Sequence, residues 1–186
     1  ASPTGMGVNK AKDGIFDDEV VREASKQEVI RRYFRYRKEN ILGIVGKNVV
    51  DEVEKLMQEL DVNENSRVVV EPARKSAIEA EIKNGKGNKG FCCGSAIQVG
   101  DKVICGKNSD LLHSESSCII NALKDISGIP DDIPLLPESV IRGVKDLKER
   151  TVRGSSPSLD VGEVLIALAI SSTSNPAAKK CIENLS

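Results

Sequence analysis

The single histidine of the chain, His113, stands two residues before the carboxylate of Glu115, a spacing that could support acid–base chemistry. Asp110 can cap a helix that begins just after it. The positive end of a helix dipole favours a neutral imidazole, which can accept a proton or hydrogen-bond a ligand. We therefore predict His113 and Glu115 as catalytic residues. The alternative is a helix-start histidine whose ring is satisfied by backbone groups or by Glu115.

Polar side chains surround this histidine along the sequence: Lys107, Asn108, Ser109 and Ser114. A helix N-terminus presents unpaired backbone N–H groups, which suit phosphate or carboxylate. We predict that these four residues bind an anionic or nucleotide-like small molecule.

A second basic feature lies near the start of the chain. Arg31, Arg35 and Lys38 recur at i, i+4 and i+7, which places them on one face of a helix. Arg31 and Arg35 are predicted to bind an anion or to contact another subunit. The alternative is a solvated face, or ion pairs with acidic residues.

The order of a hairpin, His113-Ser114-Glu115, a short strand and Pro137 is similar to that of zinc-dependent nucleoside deaminases. Those enzymes carry a Pro-Cys-x-x-Cys, whereas Pro137 is followed by the residues ESVI. Two thiolates of a tetrahedral zinc site are therefore missing. We predict no metal site, we leave the cofactor unknown, and a cytidine-deaminase-like topology without zinc stays an alternative.

The composition excludes several classes of protein. Lys and Arg number 27 against 28 Asp and Glu, so the surplus of cations that a nucleic-acid binder or a polybasic membrane anchor needs is absent. A single histidine rules out a multi-histidine metal site within one chain. The five cysteines form an odd set without a CxxC, which is typical of a reducing compartment. No apolar stretch approaches the length of a membrane span. We expect a cytoplasmic protein with no nucleic-acid or membrane partner.

Local signals predict the elements that must position the polar residues. Glycine, proline and capping residues mark the boundaries, and apolar periodicity marks the interiors. The predicted elements are a helix over residues 17–40, a helix capped by Asn48 with an apolar stripe at Val49, Val53, Leu56 and Leu60, a helix from Pro72, a β-hairpin over 91–108 with a Gly100-Asp101 turn, a helix ending at Gly128, a strand over 133–136, a helix from Glu138, a helix capped by Asp160 and buried on every side, and a helix after Asn175.

These elements predict an α/β fold, a helix-rich layered domain with a small sheet built on the hairpin of residues 91–108. Residues 1–90 are expected to form an N-terminal helical segment that ends in the glycine-rich loop 84–90. Residues 91–186 are expected to form the α/β part, and the two parts together one compact unit.

Five strings, in which a hyphen marks positions outside the match or a break, carry a resemblance to a known family: SPT-GMGVN at residues 2–9, DDEVVREASKQEVIRRYFR at 17–35, GKNS-LLH at 106–113, PSLD-EVLIALAIS at 157–171 and T-NPAA at 173–178. With these strings the chain resembles the C-terminal part of bacterial proteins described as domain of unknown function 1846. Members of this family are much longer and carry a glycine-rich, phosphate-loop-like segment in their N-terminal part. The resemblance implies that the chain is a fragment of a longer protein.

The expected function follows from these patterns together. The chain would be a C-terminal domain that contributes to an anion or nucleotide-like ligand site of a larger enzyme, with the rest of the polypeptide as its partner. We also expect a homo-oligomer. One alternative is a non-catalytic module whose helices hold the protomers of such an oligomer together. A second is a degenerate deaminase-like domain. Whether the chain is itself an enzyme stays open.

Overall fold

The computed structural model describes residues 18–84, 91–152 and 158–185. The chain divides into two compact units, with the boundary between Arg67 and Val68. Each unit has its own hydrophobic core. The sequence instead predicts that the N-terminal helical segment ends at residue 90 and that it includes the helix from Pro72.

Unit 1 is a pair of helices, α1 (Asp18–Ile41) and α2 (Lys47–Glu59), followed by a single 3-10 turn at Glu64–Ser66. The N-cap of α2 is Gly46, so the predicted cap at Asn48 was wrong: Asn48 lies inside the first turn. Partly buried Leu56 and Leu60 of the predicted stripe pack against the core. The buried core residues are Val29, Ile30, Tyr33, Val50, Val53 and Met57.

Unit 2 begins with α3 (Val70–Asn84) and the predicted hairpin, whose strands are β1 (Gly94–Val99) and β2 (Lys102–Lys107). The strands pair antiparallel with Ala96 opposite Cys105. The turn contains Gly100 at φ +59°, in the left-handed region that glycine enters without strain. Helix α3 packs on one face of the hairpin and α4 (Ser114–Ser127) on the other. The hairpin is therefore the middle of three thin layers.

Two glycines let the helices approach this hairpin closely. A Cβ on Gly94 would collide with the carbonyl oxygen of Ala73 in α3. A Cβ on Gly106 would collide with the backbone nitrogen of Cys118 and lie 2.5 Å from the carbonyl oxygen of Ser114, both in α4. Since the neighbouring atoms are backbone, no rotamer change could make room.

Three further helices complete unit 2: α5 (Glu138–Leu147), which runs into a π-helical turn at Lys148–Val152, α6 (Val161–Ser172) and α7 (Pro176–Glu183). The predicted boundary signals hold at three places. Gly128 ends α4 at φ +61°, the Asp160 side chain accepts from the Glu163 N–H in a capping box, and the Asn175 side chain caps α7.

Two further structural predictions were wrong. Residues 133–136 form bends rather than a strand, because Pro134 and Pro137 interrupt the run and proline cannot donate to a strand ladder. Its apolar character has another cause: Leu135 is buried in the core of unit 2. Helix α6 is buried on one side only, and Ile166 and Ile170 are exposed on the other.

The helix-rich α/β class with a small hairpin sheet is therefore confirmed, with two strands in the sheet among the described residues. The described residues after α4 contain no strand, so the deaminase-like topology is not supported. Residues 1–17, 153–157 and most of the predicted glycine-rich loop, residues 85–90, lie outside the described residues. Among the helices that are described, none is long and apolar enough to cross a membrane.

Candidate functional site

Four side chains are connected where β1 passes the first turn of α4; we call Ser95, Ser114, Glu115 and His113 the helix-start cluster. The Oγ atoms of Ser95 and Ser114 are 2.8 Å apart. Ser114 Oγ donates to Glu115 Oε2 at 3.1 Å. Because a hydroxyl carries one hydrogen, Ser95 must then donate to Ser114. Glu115 Oε1 lies 3.5 Å from His113 Nδ1, and this contact completes the series from Ser95 to His113.

The backbone fixes the position of His113. The residue is itself the N-cap of α4, so the predicted cap at Asp110 was wrong. Its backbone is extended at φ −65° and ψ 160°, and its side chain makes no cap hydrogen bond. Its N–H donates to Leu159 O at 3.0 Å, and its carbonyl accepts from Ser117 N at 3.0 Å. The ring is 31% exposed and Glu115 52%, so both can be reached by a small molecule.

The electrostatics of this pair favour one orientation of the imidazole proton. At 3.5 Å the contact is longer than an N–H···O hydrogen bond, so the attraction is mainly between charges or dipoles. A carboxylate beside Nδ1 favours the tautomer with its proton on that nitrogen, which leaves Nε2 as the basic atom. Glu115 also suits the positive end of α4. The arrangement can give or take a proton at His113 Nε2.

A second polar group, Asn108 and Ser109, precedes the helix; we call it the turn cluster. Asn108 is buried, and both ends of its amide bond the backbone: Nδ2 donates to Phe91 O at 2.7 Å and Oδ1 accepts from Cys93 N at 2.8 Å. Its own N–H donates to Cys93 O at 3.1 Å. Asn108 thereby extends the hairpin by joining the chain before β1 to the chain after β2.

Ser109 shapes the next turn. Its Oγ accepts from the N–H of Leu111 at 3.3 Å and of Leu112 at 3.2 Å. Its carbonyl accepts from Ser158 Oγ at 2.9 Å, which ties the turn to the segment before α6. Asn108 and Ser109 were predicted as ligand-binding residues, and the structure places both in bonds that hold the backbone.

Lys107 lies away from the helix-start cluster. Side chains alternate along a strand, so Ser95 and Gly106 face α4 whereas Gly94 and Lys107 face α3. Lys107 Nζ is 3.9 Å from Glu79 Oε2 of α3. Of the residues predicted near His113, the structure therefore brings Ser114 and Glu115 to it and keeps Lys107 on the other face of the hairpin.

Arg31 and Arg35 belong to unit 1 and have partners along α1 itself. Arg31 donates to both carboxylate oxygens of Glu28, at 2.8 Å and 3.1 Å, and this hydrogen-bonded pairing lowers the pKa of Glu28. The guanidinium of Arg35 lies 4.9 Å from the centre of the Tyr36 ring and 4.0 Å from Glu39. These are the contacts of a helix surface.

Ser95 is the member of the helix-start cluster that the sequence analysis missed. It lies 19 residues before Ser114, and a serine in a strand carries no motif. The usable signal was the alternation of the hairpin, which puts Ser95 and Gly106 on one face. In the described part of the chain, no group of three or more His, Cys, Asp or Glu side chains could hold a metal ion.

Comparisons with known proteins assign both parts of the chain to one group. Residues 65–186 match the family model described as domain of unknown function DUF1846, C-terminal. Residues 1–61 match the model described as domain of unknown function DUF1846, N-terminal. The two matched ranges meet close to the boundary between the compact units, at Arg67.

Individual relatives come from clostridia and bear the name UPF0371 protein. One from Clostridium botulinum (strain Eklund 17B / Type B) is 40% identical over 185 residues, which are 99% of this chain and 36% of the relative. One from Clostridium tetani is 37% identical, over 100% of this chain and 37% of the relative. The chain therefore spans little more than a third of the length of these relatives.

Proposed function

The chain belongs to the DUF1846 family, and from that premise we propose that unit 2 contributes an acid–base pair, His113 and Glu115, to a ligand site of a larger cytoplasmic enzyme. The ligand is an anionic or nucleotide-like small molecule. His113 Nε2 exchanges the proton, and Glu115 orients the ring. Ser95 and Ser114 hold Glu115 in place.

One observation carries this proposal: in the helix-start cluster, side-chain contacts link Ser95 to Ser114, Ser114 to Glu115 and Glu115 to His113. Most side-chain hydrogen bonds in proteins go to backbone or water, so a run of side-chain contacts ending on a partly exposed imidazole is uncommon. It orients a histidine through a carboxylate, as in many acid–base sites. The turn cluster lacks this feature and is assigned to the scaffold.

The rest of the ligand site would come from the longer family members. Lys107 lies on the other face of the hairpin, so within unit 2 a negative group would meet His113 and the N-terminal end of α4. The resemblance implies a phosphate-loop-like segment in the N-terminal part of the family. That segment would bind the phosphate while His113 faces the reacting atom.

The five cysteines support the proposed location. All of them are free thiols, namely Cys92, Cys93, Cys105, Cys118 and Cys181. A protein that keeps partly exposed thiols such as Cys93 suits the reducing cytoplasm better than an oxidising compartment.

Thermal unfolding in the presence of defined probes tests the proposal: inorganic phosphate, pyrophosphate, AMP and ATP. A probe at about 100 times its Kd stabilises the folded state by about 2.7 kcal/mol, which raises Tm by roughly 5–11 °C for a chain of this size. We expect such a rise with at least one probe, and its loss in H113A and E115Q.

Glu79→Gln is the matched control, because Glu79 is also 52% exposed and also near one basic side chain. A response that E79Q removes as strongly as E115Q would contradict the proposal. So would the absence of any response both in this chain and in the full-length Clostridium tetani relative.

A further inference from the structure

Helix α6 has two unlike sides. Its inward side is fully buried and includes Val164, Ala167, Leu168 and Ser171. Its outward side is exposed, and Ile166 and Ile170 keep 59% and 50% of their surface in water. A helix at the surface of a soluble domain ordinarily carries charged or polar residues on that side. The sequence of α6 is therefore more apolar than its packing within this chain requires.

The outward side forms one continuous uncharged face, which we call the α6 face. Its members follow spacings of four and three residues and lie one above another along the helix. They are Gly162, Ile166, Ala169, Ile170 and Thr173.

Another helix of unit 2 lacks this pattern. Exposed Ile78 of α3 is flanked on the same surface by exposed Lys75 and Glu79. An exposed isoleucine is therefore not unusual in this unit. What distinguishes α6 from α3 is that its whole exposed face carries no charged residue. A spacing of four and three residues is that of a seam between two packed helices.

The sizes of the side chains make the α6 face complementary to a second copy of itself. If two copies pack antiparallel about a two-fold axis near the middle of the helix, Ile166 of each copy lies opposite Ala169 of the other. Gly162 then lies opposite Thr173. A large side chain meets a small one at the centre, which allows close approach, and two antiparallel helix dipoles attract.

The charges at the two ends agree with the same arrangement. Asp160, exposed, stands at the N-terminal end of α6. Lys179 and Lys180, both exposed, follow its C-terminal end in α7. Antiparallel packing brings the acidic end of one copy toward the basic end of the other, whereas parallel packing would bring like charges together.

We propose that the α6 face binds a second copy of this chain in an antiparallel, two-fold-symmetric dimer. The contact is isologous, because the same surface serves both copies. A single helix seam buries less than the roughly 800 Å² per partner of a standard interface, so the dimer is weak and depends on concentration. This inference is independent of the ligand site at His113.

Sedimentation velocity of the full chain over a range of micromolar concentrations tests the dimer. Wild type is expected to shift from monomer to dimer as concentration rises. Ile166→Glu places two carboxylates at the centre of the seam, so we expect its dimer dissociation constant to rise on the order of 100-fold. Ile166→Val, which keeps an apolar seam, should dimerise nearly as well as wild type.

Ile78→Glu is the matched control, since Ile78 is an equally exposed helical isoleucine at 57%. It should leave the dimer intact, and circular dichroism should report the same helix content for all variants. A wild type that stays monomeric, a dimer that persists in I166E, or equal loss in I78E and I166E would each overturn the proposal.

Discussion

The helix-start cluster and the turn cluster lie within a few residues of each other, yet their side chains are engaged in different ways. In the turn cluster, Asn108 and Ser109 bond backbone groups of the hairpin and of the loop before α4. In the helix-start cluster, Ser95, Ser114 and Glu115 bond one another and lead to His113. Nearby polar residues of similar type thus serve the scaffold in one case and point to a site in the other.

The two kinds of contact predict different consequences when a side chain is removed. A side chain that satisfies buried backbone groups leaves them unpaired when it is removed, and folding stability falls. A partly exposed side chain held by other side chains costs little stability when it is removed. Its loss should instead appear in ligand binding.

Gly106→Ala should have the largest effect, because its Cβ would collide with the backbone of α4 that carries the helix-start cluster. We expect a loss of about 3 kcal/mol in urea denaturation. Burial raises the pKa of the Cys118 thiol above its ordinary value, with nearby Cys105 adding to the effect. Since the thiolate is the reactive form, Cys118 should be alkylated slowly in wild type and faster in this variant.

Gly143→Ala is the control for that substitution. A Cβ at Gly143, inside α5, would meet nothing within 4 Å. This variant should be more stable by about 0.5–1 kcal/mol, because alanine is the better helix former. A destabilised G143A, or a G106A as stable as wild type, would contradict the account of close packing on the hairpin.

Asn108→Ala should cost about 2–3 kcal/mol, since it leaves Phe91 O and Cys93 N without their side-chain partner. Asn121→Ala is the control: its amide is exposed and donates once, to Cys105 O at 2.8 Å. We expect that control to lose at most about 1 kcal/mol. Equal losses in urea denaturation would remove the distinction of Asn108 as a scaffold residue.

Ser95→Ala should cost about 1 kcal/mol, as Ser114 loses the hydroxyl that donates to it but keeps its bond to Glu115. The comparison is Ser172→Ala, whose exposed hydroxyl bonds Ala169 O within its own helix and should be nearly neutral. The S95A variant should also respond more weakly to any probe that stabilises wild type. An unchanged response would show that Ser95 plays no part in positioning Glu115.

His113→Ala and Glu115→Gln should have the smallest effects on stability, within about 0.5 kcal/mol, because both side chains are partly exposed. Urea denaturation without ligand measures this directly. A loss as large as that of Asn108→Ala would make His113 a scaffold residue like those of the turn cluster, and the contrast between the clusters would disappear.

Local chemistry explains which parts of the fold were predictable from sequence. The Gly100-Asp101 turn, Gly128, Asp160 and Asn175 act through backbone geometry or capping within a few residues, and all four were placed correctly. The prediction of a strand at 133–136 and the prediction that α6 is buried on every side were wrong for the same reason. Apolar residues show that a segment avoids water, but not which partner covers it or in what conformation.

The helix-start cluster was predictable in part. His113, Ser114 and Glu115 are adjacent in sequence, so their proximity required only the helix start. Ser95 comes from the hairpin, and the roles of Asn108 and Lys107 depend on which face of β2 a side chain occupies. Strand register at the end of a hairpin decides this, and residue type alone carries no information about it.

The imidazole NMR signals of His113 show whether a ligand binds at the helix-start cluster, because the chain has a single histidine. With ¹⁵N-labelled protein, AMP and pyrophosphate are titrated while the ring and backbone signals are followed. The account predicts that one of these probes moves the ring signals to saturation, together with the backbone signals of Ser114 and Glu115. Ring signals that stay fixed with both probes, while signals elsewhere in the chain saturate or nothing moves, would contradict it.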